Sequence, residues 1–548
     1  MSDEHVPVLI VGGGLAGLTT ALFLSLHGVR PLVAEKHPGT SVIMKARGQY
    51  PHTMEALRIG GIADRIAAAG PDEGTGEFYM VVADSLAGPV LKRIMTEGEM
   101  AMRHVSPEDW AMAGQERTEV ILADRARELG AELCFDTELV SLTQSPDLVT
   151  AVLRDVRTGA ERTVTADYVV GADGAHSPVR RELGIGMHGR GNLGEIFRVF
   201  FDADLSEPLR QLPGVSDGRK FALFWLQQPA PGVFYTTDIP GRYGYVLGMS
   251  QNPPDFGAFT EEKCAELVRT GLGLPDLPLT VVETGRTDIV SEIADRFSEG
   301  RVHLAGDAAR LVPAPGGLGG NTAITDGFYL AWKLAMVVKG EAGPGLLDSH
   351  DAERRPVSEM IGEQQLRNTV ERLAGYLDDG ALAAPLPPVV QAFGYRCADG
   401  AVVREADDAG ELLEDPAAPT GRPGSRAPYV ALPEGSPAAS TTALFGRSFV
   451  LLTGEGPGEG TAEGAGEAWT AAADAVADRL GITLPVHRLA GTEWEKSYGV
   501  SGAGAVLVRP DRFIAWRAGD APADTDAARR ALESALRTVL DRPDAAAR

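Results

Sequence analysis

Gly12, Gly14 and Gly17 stand in the spacing Gly-x-Gly-x-x-Gly, and Glu35 follows further along, with Lys36 beside it. A loop of this kind can press its backbone against a pyrophosphate. A side chain at Gly12 or Gly14 would block the approach, and Gly17 lets the following helix lie close to the preceding strand. The helix start, at Leu15 and Ala16, turns free N–H groups and partial positive charge toward phosphates. Glu35 can accept both hydroxyls of a ribose. This is dinucleotide chemistry, shared by NAD and FAD.

Two later segments decide between them. Asp173-Gly174 follows the apolar run Tyr168–Gly171, and Gly306-Asp307 follows Val302–Ala305. An acid at Asp307 can hold the hydroxyls of a ribityl chain, which FAD has and NAD lacks. Pro313, Gly316, Gly317, Leu318, Gly319, Gly320 and Asn321 then permit close backbone approach to a flat ring. They open a helix whose positive end can face the N1–C2=O edge of a flavin, the edge that becomes anionic on reduction. The three segments together point to FAD.

These residues need a scaffold. Residues 6–36 read as a βαβ unit, with strands Val8–Val11 and Pro31–Ala34 around a helix Ala16–His27 that Gly28 can cap. Gln115–Leu129 reads as a helix and Ala166–Gly171 as a strand. Residues 195–280 are aromatic and alternating, as expected of a sheet with one buried face. Arg301–Gly306 reads as a strand returning to the nucleotide domain, and Asn321–Lys339 as a long apolar helix. A Pro/Gly/Ala-rich stretch near 415–440 reads as a surface linker. Beyond it, strands Ser448–Leu452 and Ala505–Val508 alternate with helices over 466–480 and Asp526–Leu540, forming a small α/β domain.

Composition narrows the function. The chain has 548 residues, 44% of them hydrophobic, enough for several domain cores. A net charge of −25 disfavours nucleic acid and anionic membrane surfaces as partners. Cys134, Cys264 and Cys397 lack the spacing of a disulfide framework or a thiolate metal site, so no metal is expected. No apolar run reaches the roughly 18 residues of a membrane span. The acidic start Met1–His5 lacks the features of a signal peptide. The expected location is cytoplasmic. Pattern and charge carry no signal for oligomeric state.

The three segments resemble the GxGxxG, DG and GD motifs of the single-component FAD-dependent aromatic hydroxylases, the p-hydroxybenzoate hydroxylase group. The resemblance covers residues 5 to about 357, through Gly345–His350 and Glu353–Val357. Ala46–Gln49, Thr53–Glu55, Leu57–Gly61 and Phe201–Ser206 are similar to the actinobacterial aromatic polyketide hydroxylases. Leu507–Asp511 with Ala515–Arg517 fits the thioredoxin-like extension of that subgroup. The implied architecture is α/β. A Rossmann-like FAD-binding domain spans 1–180 and 281–395, with residues about 76–105 contributing to the substrate domain. An inserted β-sheet substrate domain spans 181–280. A linker over 396–440 leads to a thioredoxin-like domain over 441–548 that has no cysteines.

The resemblance also implies chemistry. NADPH or NADH would reduce FAD, and oxygen would form a flavin C4a-hydroperoxide that hydroxylates a polycyclic aromatic polyketide. A Baeyer–Villiger-type insertion, or an oxidative rearrangement or decarboxylation, is the alternative outcome. A non-catalytic flavin- or ligand-binding module is the minor alternative. By the same resemblance Arg47 would lie beside the flavin and its phosphates, and Gln115 would contact the FAD ribose or pyrophosphate. Asp173 would belong to a motif associated with FAD and NAD(P)H, and Pro313 would help shape the reaction site.

Two positions depart from the pattern. Arg310 stands where most members carry His; it could bind an anionic substrate or pair with an acid. The strand Phe221–Leu226 offers no Tyr to deprotonate a phenol, while Tyr235, Tyr243 and Tyr245 fit packing roles better. The catalytic base is therefore open, and Arg47, Tyr235 and Arg310 are the candidate catalytic residues. Trp225, Tyr235 and Pro313 are candidates for the substrate wall. Gly454–Gly460 resembles a phosphate loop, but Glu455, Glu459 and Glu463 would repel phosphate, which favours a plain loop.

Overall fold

Val8, Leu9 and Ile10 are fully buried because their strand, Glu4–Val11, has parallel neighbours on both sides: Leu32–Ala34 and Glu161–Gly171. The computed structural model describes residues 4–42, 45–70, 79–86, 88–94, 102–210, 221–228, 231–247, 255, 257, 259–454 and 464–543. Val302–Leu304 pairs in parallel with the far side of Glu161–Gly171. The register sets Val11 beside Gly171 and Gly171 beside Leu304. The three chemical segments of the sequence thus leave the carboxyl ends of three adjacent parallel strands, where open α/β sheets bind ligands. The helix Leu15–Leu26 is buried at every residue, and beside it packs the helix Leu318–Val338.

The second sheet has eight strands, in the order Arg310–Leu311, Leu279–Ala294, Met187–Ala203, Arg242–Leu247, Gly232–Thr236, Ala222–Leu226, Tyr79–Ala83 and Val90–Arg93. Its buried face is the expected aromatic one, with Phe197, Phe201, Phe224, Phe234 and Tyr245 in one core. The strand Tyr79–Ala83 joins it in parallel with Ala222–Leu226. The expected boundary at 280 needs correction. The whole strand Leu279–Ala294 pairs antiparallel with Met187–Ala203 and belongs to this sheet.

The C-terminal unit is thioredoxin-like. Its four strands run in the order Val486–Leu489, Val450–Gly454, Ala505–Val508, Ile514–Ala518, with one parallel pair and helices Ala465–Leu480 and Thr525–Val539 packed on the sheet. The segment 455–463, including the phosphate-loop resemblance, lies outside the described residues.

The linker expectation for 396–440 is also corrected. Ser425 and Ala427 are fully buried, the Gly424 N–H donates to the Ile514 carbonyl, and Arg426 ion-pairs with Glu55. Its prolines and glycines turn a strap clasped between two domains rather than a surface tether. No helix among the described residues is long and apolar enough to cross a membrane.

Candidate active site

The glycines of the first loop divide into two kinds. Gly12 has φ +106°, and a Cβ there would overlap the Ala172 carbonyl of the neighbouring strand. A Cβ on Gly17 would overlap the Gly12 carbonyl. Both are required by the fold itself. Gly14 is different: the nearest atom to a Cβ there is Glu119 Oε1, at 3.8 Å. A side chain at Gly14 would thus make only ordinary contact with the protein, and Gly14, the N-cap of Leu15–Leu26, leaves that helix without a side-chain cap. A diphosphate fits this cradle, with free N–H groups at its base. Glu35 stands at its edge, oriented by the Gly13 N–H at 2.6 Å and the His37 N–H at 2.9 Å. Lys36 is exposed just beyond.

Asp307 is the single exposed residue in the otherwise buried run Val302–Arg310. Protein surrounds it, so its carboxyl faces a cleft within the fold, and desolvation raises its pKa against the pull of Arg310 and Lys45. Gly306, with φ +64°, places it there. A Cβ on Gly306 would come within 2.8 Å of the Ala16 methyl, so glycine lets the acid's loop touch the first helix. The Gly306 N–H donates to Asp326 Oδ2 at 2.9 Å. Asp326 is fully buried and also binds Arg310 at 2.5 Å and Arg354 at 2.9 Å. This removes Arg310 from the catalytic candidates: it is buried and paired with an acid below the loop.

The third segment behaves as a backbone surface. Gly317 is exposed, Gly319 and Gly320 are partly exposed, and Pro313 is buried behind them. Leu318 N–H donates to Gln365 Oε1 at 2.9 Å, and Gly317 offers no side-chain cap to the helix it starts. Asn321 contributes differently from expectation. Its amide donates to the Gly48 and Gly317 carbonyls and accepts from the Tyr50 N–H, so it fixes the loop. Asp173 is likewise committed to its own turn. It accepts from Ser177 Oγ at 2.5 Å and Val179 N–H at 2.9 Å, while Arg180 ties that turn to the Ala308 carbonyl.

Gln115 donates to Glu119 Oε1 at 2.7 Å, beside the Gly14 cradle. Arg47 reaches elsewhere. It ion-pairs with Asp238 at the tip of the substrate sheet, and its guanidinium lies 5.1 Å from the Phe221 ring centroid. Arg117 approaches the same Asp238 at 3.4 Å. Arg47 is thus a junction between domains.

Tyr235 lies across Gly244, where a Cβ would overlap its ring, and meets Phe200 edge-on. Burial raises its hydroxyl well above the ordinary range, which is wrong for a base. Tyr243 and Tyr245 are core residues. Trp225 is nearly buried, and Arg372 holds its guanidinium 5.4 Å from the Trp225 centroid, anchored by Asn368 Oδ1 at 2.7 Å. Burial lowers the Arg372 pKa, with Tyr50 opposing. Tyr50 donates to the Gly316 carbonyl at 2.9 Å, packs on Trp110, and has its own pKa pushed up to about 12.

Arg372, Tyr50, Asp326, Asp238 and Glu119 escaped the sequence reading. Only Asp326 carried a usable signal, as a lone acid inside an apolar helix.

Residues 5–365 match the family model described as FAD binding domain, and residues 420–543 match that described as aromatic-ring hydroxylase, C-terminal. The chain belongs to this flavoprotein family. It is a monooxygenase whose cofactor is FAD. The flavoprotein is 39% identical to aklavinone 12-hydroxylase of Streptomyces purpurascens, across 99% of this chain and 100% of the relative. It is 37% identical to tetracenomycin A2 monooxygenase-dioxygenase of Streptomyces glaucescens, across 99% and 98%. Among solved structures, a ternary complex of aklavinone-11 hydroxylase with FAD and aklavinone superposes with TM-score 0.89 at 38% identity, covering 99% and 100% of the chains.

Proposed function

We propose that this flavoprotein uses NADPH or NADH and oxygen to hydroxylate a phenolic ring of a polycyclic aromatic polyketide. The observation that carries the reading is the convergence at three adjacent strand ends. There, uncapped Gly14, the exposed acid Asp307 and the backbone of 316–320 stand together. Bound FAD supplies hydride acceptance and oxygen activation. Gly14 and Glu35 hold its adenosine end, Asp307 its ribityl hydroxyls, and the start of Leu318–Val338 its ring.

Near Tyr50, which holds the Gly316 carbonyl, Arg372 offers a cation beside the Trp225 ring. That pair suits an aromatic ring carrying a phenolate. The cation stabilises the ionised phenol, so ring activation needs no tyrosine base. Aklavinone and tetracenomycin in the relatives' names support the substrate class.

The test is direct. Purified protein should be yellow, and NADPH consumption should accelerate when aklavinone is added. The product should carry one oxygen atom from labelled O2. Colourless protein releasing no flavin on denaturation would defeat the reading, as would unlabelled product.

A further inference from the structure

Two carboxylates flank the glycine loop, and the adenosine ribose accounts for only one. Glu35 sits at the ribose end, bonded to Gly13 N–H and His37. Glu119 comes from the helix Gln115–Glu128, is 2% exposed, and holds its Oε1 3.8 Å from where a Cβ on Gly14 would stand. Oε1 accepts from Gln115 Nε2 at 2.7 Å, and Oε2 accepts from the Ser41 N–H at 2.8 Å. Each carboxylate oxygen has a second acceptor position, so the group has room for a proton without losing either bond.

The surroundings disfavour a charge on Glu119. Burial is the largest influence and raises its pKa, with Glu35 adding to the effect. The bonds from Gln115 and Ser41, together with the charge of Lys45, act the other way. A diphosphate seated along Gly14 adds two negative charges to this space. Like charges in a poorly solvated site cannot all persist, and the carboxylate is the member that can take a proton.

We propose that FAD binding is coupled to the uptake of one proton by Glu119, which borders the diphosphate as a neutral acid while still holding Gln115 and the Ser41 segment. The balance is simple: carboxylate, solvent proton and FAD go in, and the holoenzyme with a carboxylic acid comes out. The proposal rests on the reading that Gly14 faces the diphosphate.

Dilution of the holoenzyme, followed by fluorescence of released FAD, gives Kd from about pH 6 to pH 9. One coupled proton weakens binding by up to tenfold per pH unit within the window between the free and bound pKa values. Glu119→Gln, isosteric with the neutral acid, should bind FAD with a flat profile near the wild-type low-pH affinity. His37→Gln should keep the wild-type slope, which separates this effect from titration of the His37–Glu35 pair. Calorimetry of FAD binding to wild type, in two buffers of different ionisation enthalpy, should count one proton taken up. A flat wild-type profile, an unchanged slope in Glu119→Gln, or no proton uptake in calorimetry would overturn the proposal. The calorimetry stands even if a variant fails to fold. Full FAD retention by Gly14→Val would instead overturn the underlying placement of the diphosphate.

Discussion

Asp307 and Arg372 are both enclosed charged side chains near the proposed flavin ring, yet their tasks differ. Asp307 is unpaired by any hydrogen bond among the described residues and exposed only to its cleft, the arrangement of an acceptor waiting for hydroxyl donors. A charge-assisted hydrogen bond is worth about 1.5–3 kcal/mol. Asp307→Ala should therefore weaken FAD at least about tenfold and yield largely colourless protein, read from flavin absorbance after purification. Full occupancy in that variant would contradict the assignment. Arg372, stacked beside Trp225, is assigned to the substrate. Arg372→Gln should keep FAD but lower turnover, and it should move the ionisation of the bound substrate, read from kcat, to higher pH. A cation favours phenolate, so its removal raises the phenol pKa. An unshifted pH profile would remove Arg372 from ring activation.

At the scale of elements, the helix Leu318–Val338 connects these two sites. Its N-terminus faces the proposed flavin ring, and one turn beyond Asn321 its Asp326 holds the Gly306 N–H and two arginines. Removing one partner of a buried ionic cluster costs about 3–5 kcal/mol because charges are left uncompensated. Asp326→Asn should lower stability by that order in denaturant titration and release FAD, since the loop bearing Asp307 loses its anchor. Retention of both would make Asp326 a bystander.

The same elements show what the sequence could reveal. Gly12, Gly17 and Gly306 were legible because each answers a local backbone demand. The partners of Asp326 were not, because Arg310 and Arg354 reach it only after three elements pack. The boundary at 280 cuts through Leu279–Ala294 because Glu283, Arg286 and Asp288 mask the alternation of a strand whose register comes from Met187–Ala203.

For the whole molecule, buried charge decides how the C-terminal unit is held. Glu353 binds Lys333 at 2.6 Å within the FAD domain and Arg509 at 2.6 Å across the domain boundary. Arg509 binds Asp511 at 2.5 Å, and Asp511 accepts from the Trp332 indole at 2.8 Å. Trp332 and Lys333 lie on the helix that leads to the proposed flavin site, so the thioredoxin-like unit braces that helix from behind. Without cysteines it has no thiol chemistry to offer.

Acid should test this packing from another side. His303 and His350 are buried between the sheet and the helix Ser349–Arg372 and stay neutral, with pKa values lowered by burial to about 3 and about 4. In the unfolded chain each would take a proton near pH 6.5. A lowered histidine pKa means the unfolded state binds more protons as pH falls. Stability is therefore fully present above that pH and declines below it, by up to about 1.4 kcal/mol per pH unit for each histidine. The double variant His303→Gln, His350→Gln should flatten the fall in the denaturation midpoint between about pH 6.5 and pH 4.5. An equally steep fall would place the acid sensitivity at His27 and His52, whose pKa values burial lowers to about 4 and about 3.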